Sequence, residues 1–97
     1  MKEYKVGDKI RFKGEVKPYT IRACDDRYLI CTKPYNLKYT VLYTIVDLKK
    51  NIRGTDWWIF GIYDYRMKDE CEQCLRDLNS GETEISKRNR VELEIEE

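Results

Sequence analysis

The stretch Tyr19-Thr20-Ile21-Arg22-Ala23-Cys24-Asp25-Asp26-Arg27-Tyr28-Leu29-Ile30-Cys31-Thr32-Lys33 decides the fold. Tyr19, Ile21 and Ala23 alternate with polar residues, which predicts a strand with these three on one face. Asp25-Asp26 predicts a tight turn, because short carboxylates bond nearby backbone and tolerate turn dihedrals. Residues 27–33 then form the return strand, with Tyr28 and Ile30 facing one way and Leu29 and Cys31 the other.

Working outward, residues 8–13 alternate polar and apolar and predict another half-buried strand, followed by a loop at 14–18 that ends in Pro18. Downstream, Lys33-Pro34-Tyr35-Asn36-Leu37-Lys38 predicts a basic loop. Residues 39–48 are dense in β-branched and aromatic side chains and predict a strand. A polar turn at 49–51 leads to a short strand-and-turn element at 52–56. Residues 57–63 are almost continuously apolar and predict a strand buried on both faces or facing a partner. The one helix is expected at 69–79, with Asp69 and Glu72 as a capping pair. Met67, Cys71, Cys74, Leu75 and Leu78 form its apolar face, and Gly81 its left-handed C-terminal cap. A last hairpin is expected between 83–86 and 91–95, with Val91, Leu93 and Ile95 inward and Glu92, Glu94 and Glu96 outward as edge protection. This order predicts one domain over residues 1–97. Its class is α+β, mostly β: a small SH3-like barrel or curved antiparallel sheet with one short helix.

Composition narrows the function classes. The chain has 97 residues, 41% hydrophobic and 38% charged, which fits a folded domain rather than a disordered one. No apolar run is long enough for a membrane-spanning helix, and the first residues lack the apolar core of a secretory signal. A cytoplasmic location is therefore expected. Net charge is +1, yet residues 1–53 hold 13 basic and 6 acidic side chains, and residues 54–97 hold 6 and 12. Such asymmetry favours an electrostatically steered partner, unless folding interleaves the halves.

The four cysteines raise the question of zinc. Cys24 and Cys31 are expected on opposite arms of the hairpin, about 10–13 Å apart, too far to share a metal or a disulfide. Cys71 and Cys74 belong to the helix stripe. All four are read as small buried hydrophobes, with no metal and no cofactor. Histidine is absent, which removes the usual general base. No nucleophile elbow or phosphate-cradling glycine loop is present, and no catalytic residue is assigned.

Two strings suit binding. In Arg53-Gly54-Thr55-Asp56-Trp57-Trp58, Arg53 offers a planar fork for an oxyanion. Gly54 permits close backbone approach, Thr55 and Asp56 can bond a ribose or base edge, and a Trp can stack on a base. The bland alternative is a tight turn with Arg53 paired to Asp56. In Arg88-Asn89-Arg90, two guanidiniums flank an Asn and make a compact anion contact; the alternative is a solvated turn. A basic set (Lys9, Arg11, Lys13, Lys17, Arg22, Arg27), interleaved with Tyr19, Tyr28 and Tyr35, could track a phosphate backbone. The acidic set Glu82, Glu84, Glu92, Glu94, Glu96 and Glu97 suits the opposite role, mimicry of nucleic-acid phosphates toward a basic groove.

Four segments also carry a resemblance: VGDKIRF (6–12), PYTIRACDDRYLICTKP (18–34), VLYTIVDLKKNIRGTD (41–56) and SKRNRVELEI (86–95). Together they resemble a family of small proteins from phage and prophage regions of gut Firmicutes. The resemblance implies a phage accessory protein in the bacterial host cell, from a class rich in anti-CRISPR inhibitors and nucleotide-signal sponges. Trp57-Trp58 departs from the family pattern, which is less aromatic there. The leading expectation is a non-catalytic inhibitor that occludes a host defence protein such as a CRISPR effector, using Tyr35, Arg53, Thr55, Asp56, Trp57, Trp58, Arg88, Asn89 and Arg90. The alternative is a nucleic-acid or nucleotide binder using the Arg/Asp/Trp site. A homodimer or larger oligomer goes with the nucleotide-binding reading and with a third one, a self-associating virion or replication accessory; the inhibitor reading does not require it.

Overall fold

The computed structural model describes residues 3–34, 40–59 and 66–96, with backbone alone for 57–59 and 66. Seven strands and one helix follow in the order β1 (Lys9–Phe12), β2 (Tyr19–Cys24), β3 (Tyr28–Pro34), β4 (Thr40–Asp47), β5 (Ile52–Ile59), α1 (Arg66–Ser80), β6 (Arg90–Glu92) and β7 (Ile95–Glu96). The sheet is antiparallel, in the order β6-β5-β4-β3-β2-β1-β7. It curls into a half-barrel, so the curved-sheet form of the expected mostly-β class is the one adopted. β6 and β7 are separated by only Leu93 and Glu94, yet they lie at opposite ends of the strand order. The C-terminal segment therefore straps the two edges of the curl. Leu93 N donates to Asn51 O at 2.9 Å and Lys13 N to Glu94 O at 2.9 Å.

Both faces of the sheet are buried. On the concave side Ile10, Phe12, Tyr19, Ile21, Leu29, Cys31, Val46 and Leu93 form one cluster. On the other, Ala23, Tyr28, Ile30, Val41 and Ile45 meet Met67, Cys71 and Leu78 of α1, and Ile85. The alternation of β3 is as read from the sequence, with Leu29 and Cys31 on one side and Tyr28 and Ile30 on the other. Full burial of aliphatic side chains such as Leu29, Ile30 and Val46 contributes about 1.5–3 kcal/mol each. β2 departs from the expected pattern. A bulge shifts the register between Ile21 and Ala23, and the extra residue turns Ala23 away from Tyr19 and Ile21 toward the helix.

The Asp25 turn is present. Its Oδ1 accepts from Arg27 N at 2.8 Å and Tyr28 N at 2.7 Å, and its Oδ2 from Asn79 Nδ2 at 2.8 Å. The turn thus also anchors the end of α1. A second Asp-led turn closes β4. Asp47 Oδ1 accepts from Lys49 N and Lys50 N, and its carboxylate takes a two-pronged contact from Arg27 at 3.1 and 3.0 Å. Burial would raise the Asp47 pKa, but these contacts outweigh it and hold the carboxyl below its usual range.

Three expectations need correction. The helix begins at Arg66, three residues before the expected cap, so Asp69 lies in its first turn rather than preceding it. Arg66-Met67-Lys68 are good helix formers, and Met67 is buried at the head of the apolar face. Gly81, at φ 84°, takes the left-handed conformation expected of it. Residues 52–56 are not a strand ending in a turn; they are the first part of the unbroken β5. Finally, 83–86 form no strand, because β5 takes β6 as its neighbour and Ile85 drops into the core instead. Val91 is consequently exposed, while Leu93 is buried. Residues 60–63 of the expected apolar strand lie outside the described residues.

Candidate functional site

Strand alternation divides the string that begins at Arg53. Arg53 and Thr55 belong to the concave side, Gly54 and Asp56 to the helix side. Arg53 and Asp56 are therefore not a pair. Arg53 instead donates to Glu15 Oε2 at 2.8 Å and to Thr55 Oγ1 at 3.1 Å, and its guanidinium carbon lies 4.2 Å from the Phe12 ring centroid. Lys33 donates to the other oxygen of the same carboxylate at 2.7 Å, with its ammonium 4.5 Å from the Tyr19 ring centroid. One carboxylate thus lies between two cations at the mouth of the half-barrel, with both cations about 14% exposed. Burial opposes ionisation of Glu15, but Lys33 and Arg53 outweigh it and lower its pKa. Burial, assisted by the Glu15 charge, pushes the Tyr19 phenol up to about 12.

Gly54 does serve a close approach, but to this chain's own core. A Cβ there would meet Ile85 Cγ2 at 2.5 Å. Arg90 does not offer its guanidinium as an outward anion contact. It donates to Ile85 O at 2.8 Å and holds the 85–89 turn against the sheet. Arg88 is exposed and Asn89 half-buried. Trp57 pairs with Leu42 and Trp58 with Val41 through the backbone; Tyr35 lies outside the described residues. The basic set is largely committed. Arg11 pairs with Glu96 at 3.0 Å, Lys13 with Glu94 at 3.7 Å and Arg27 with Asp47, while Lys9 donates to Thr20. Tyr19 and Tyr28 are buried and offer no stacking platform.

A cavity lies elsewhere, on the helix side of the sheet. α1 packs mainly on β2 and β3; among the described residues the same face of β4 and β5 is only partly covered, with Val41 and Ile45 buried against α1 and Ile85, and Tyr43 half-buried. The loop at 83–89 forms the far wall. Between them lies a groove of about 480 Å³. Its floor is Tyr43, Ile45, Gly54 and Ile85; Glu70, Asp77 and Cys74 come from the helix, Asp56 from β5 and Glu84 from the loop. Among the described residues, four carboxylates and no Lys or Arg line it. Gln73 donates to Asp77 Oδ1 at 2.8 Å and accepts from Arg76, which fixes one carboxylate on the wall. Of the lining residues, Gly54, Thr55, Asp56 and Asn89 belong to the predicted binding strings, and Glu84 to the acidic set. Glu70 and Asp77 were hidden because the helix reads as an ordinary amphipathic one, and only its docking on β2–β3 turns their side toward a cavity.

The cysteines divide between the two cores. Cys24 and Cys31 pack on the concave side, Cys71 and Cys74 on the helix side. Burial pushes the thiols of Cys71 and Cys74 up to about 12 and 11. Among the described residues, no three His, Cys, Asp or Glu side chains are grouped to hold a metal, and no helix is long and apolar enough to cross a membrane. No protein-family model, curated protein or solved structure matches the chain.

Proposed function

We propose that the protein works by binding rather than catalysis, and that the acidic groove beside α1 receives an arginine- or lysine-bearing segment of a partner protein. The observation that carries this reading is the lining itself. Glu70, Asp77 and Glu84 stand around an apolar floor, and no Lys or Arg is among the described lining residues, which suits a ligand that brings positive charge. The floor can take the aliphatic stem of a long basic side chain while the rim holds its head. A nucleic acid is repelled by the same rim. The resemblance to phage accessory proteins gives this partner a class: a host defence protein with a basic surface, such as the nucleic-acid groove of a CRISPR effector, which the protein would occlude in the bacterial host cell.

The test titrates the protein into guide-loaded RNA-guided nucleases and measures cleavage of target DNA at low and high salt. Inhibition is expected, weakening as salt rises and falling at least about tenfold in the Glu70→Gln/Asp77→Asn/Glu84→Gln variant. Inhibition untouched by that variant would remove the groove from the mechanism. Native mass spectrometry gives the complementary check: co-purified mass of nucleotide size, with no effector inhibited, would overturn the reading in favour of a nucleotide binder.

A further inference from the structure

The geometry points to a second site, for a phosphate monoester, at the mouth of the half-barrel, which the chain's own Glu15 occupies in this structure. The donors are already in place. Arg53 and Lys33 each hold one oxygen of the Glu15 carboxylate, at 2.8 and 2.7 Å. Thr55 stands beside them, bonded to Arg53 at 3.1 Å and to Thr44 at 3.0 Å. The rings of Phe12 and Tyr19, 5.4 Å apart and edge-on, support the two cations from below. Long cationic side chains rarely stay ordered and about 14% exposed without such support.

Charge selects the ligand. Among the described residues two cations face a single negative charge, so Glu15 leaves one positive charge unmatched there in a half-buried setting. A phosphate monoester dianion matches both. Arg's planar fork suits that geometry.

The loop that carries Glu15 is built to leave. Gly14 has a φ of 89°, a conformation that favours glycine. Val16 is 86% exposed, and Lys17 and Pro18 are exposed as well. Residues 16–18 bury nothing, so moving them uncovers no core. Besides its side chain, Glu15 is held by one backbone bond, from its N to Phe12 O at 3.0 Å. Glu15 then acts as a competing internal ligand, and the apparent affinity for an external one falls by the fraction of time the loop is closed.

The test is an NMR titration with inorganic phosphate, adenosine monophosphate and adenosine. It reads the Arg53 Nε–H and the Glu15 side-chain carboxyl carbon in the wild type, and the Arg53 signal in Glu15→Gln. Saturable movement of both wild-type signals together is expected with the two phosphates and none with adenosine. Glu15→Gln is expected to bind at least about tenfold tighter, and adding Lys33→Met to it should abolish the gain. Equal responses to phosphate and adenosine monophosphate identify the phosphate group as the whole ligand; a tighter monophosphate adds a nucleoside contact. Three results would overturn the site: no saturable shift in the wild type, an Arg53 shift without release of Glu15, or equal affinity in wild type and Glu15→Gln. Should Glu15→Gln fail to fold, the two wild-type signals decide alone.

Discussion

The mouth of the half-barrel and the groove beside the helix treat charge in opposite ways. At the mouth, Arg53 and Lys33 are half-buried, stacked on rings and closed off by Glu15 from across the sheet. In the groove, carboxylates from α1, β5 and the 83–89 loop face a cavity with no described cation on its walls. The first region depends on sequence-distant pairing; residues 15, 33 and 53 have to meet for it to exist. The second has an apolar floor and, among its described lining residues, carboxylates with no Lys or Arg beside them. The contrast separates a region that contributes to folding stability from one that costs little to keep and little to change.

The largest effect is expected where the groove wall meets the core. Gly54→Ala forces a Cβ into Ile85 Cγ2, and β-branched Ile85 cannot swing that methyl aside cheaply. A loss of about 2–3 kcal/mol is expected from such overpacking. Ile85→Ala leaves a void and loses about 2–4 kcal/mol by itself. The pair should be strongly non-additive, because Ile85→Ala removes the atom that Gly54→Ala strikes. Urea melts of the four proteins measure this. Additive losses would mean that the wall is held by something other than this contact.

The mouth is tested by Arg53→Met. It removes the bonds to Glu15 and Thr55 and the stacking on Phe12, at an expected cost of about 1–2 kcal/mol at neutral pH. It should also change the response to acid. The folded-state pKa of Glu15 is lowered, so the ionised carboxylate stabilises the fold above its unfolded pKa, and that contribution disappears as pH falls through the folded pKa. Without Arg53 the lowering is smaller, and the wild type and Arg53→Met should converge in stability as the pH drops. Melts repeated from neutral pH down into the carboxylate range check it; a constant gap between the two proteins would place the role of Arg53 in packing alone.

How much of this was legible beforehand depends on the distance of the interactions involved. The hairpin turn at Asp25, the two-sided β3, the helix face from Met67 to Leu78 and the Gly81 cap are local patterns, and each is present. What was not legible is set by contacts between remote residues. The bulge that turns Ala23 toward the helix depends on β3 register. The strap made by Leu93 and Glu94 needs the curl that brings β1 and β5 to one segment. Arg53 was singled out for its planar fork, but its partner is Glu15, 38 positions away, rather than the neighbouring Asp56. Gly54 was likewise read as a place of close approach, with the approaching group misjudged: it is Ile85. The groove follows from α1 packing on β2 and β3 rather than on β5, and no periodicity in the helix states that.

The smallest effect on stability, and the one that sharpens the contrast most, is expected from the groove carboxylates. Glu70 and Glu84 are exposed, and no ion pair to either is found among the described residues. Glu70→Gln and Glu84→Gln should each change stability by no more than about 0.5 kcal/mol, as surface substitutions do. The direction should be toward greater stability, because each removes repulsion among like charges across the groove. Adding salt to the wild type should give part of the same gain by screening, and should give less in the double variant. A clear destabilisation in either variant would show that these carboxylates are already engaged within the fold. The groove would then resemble the mouth, and a basic partner would have nothing left to satisfy.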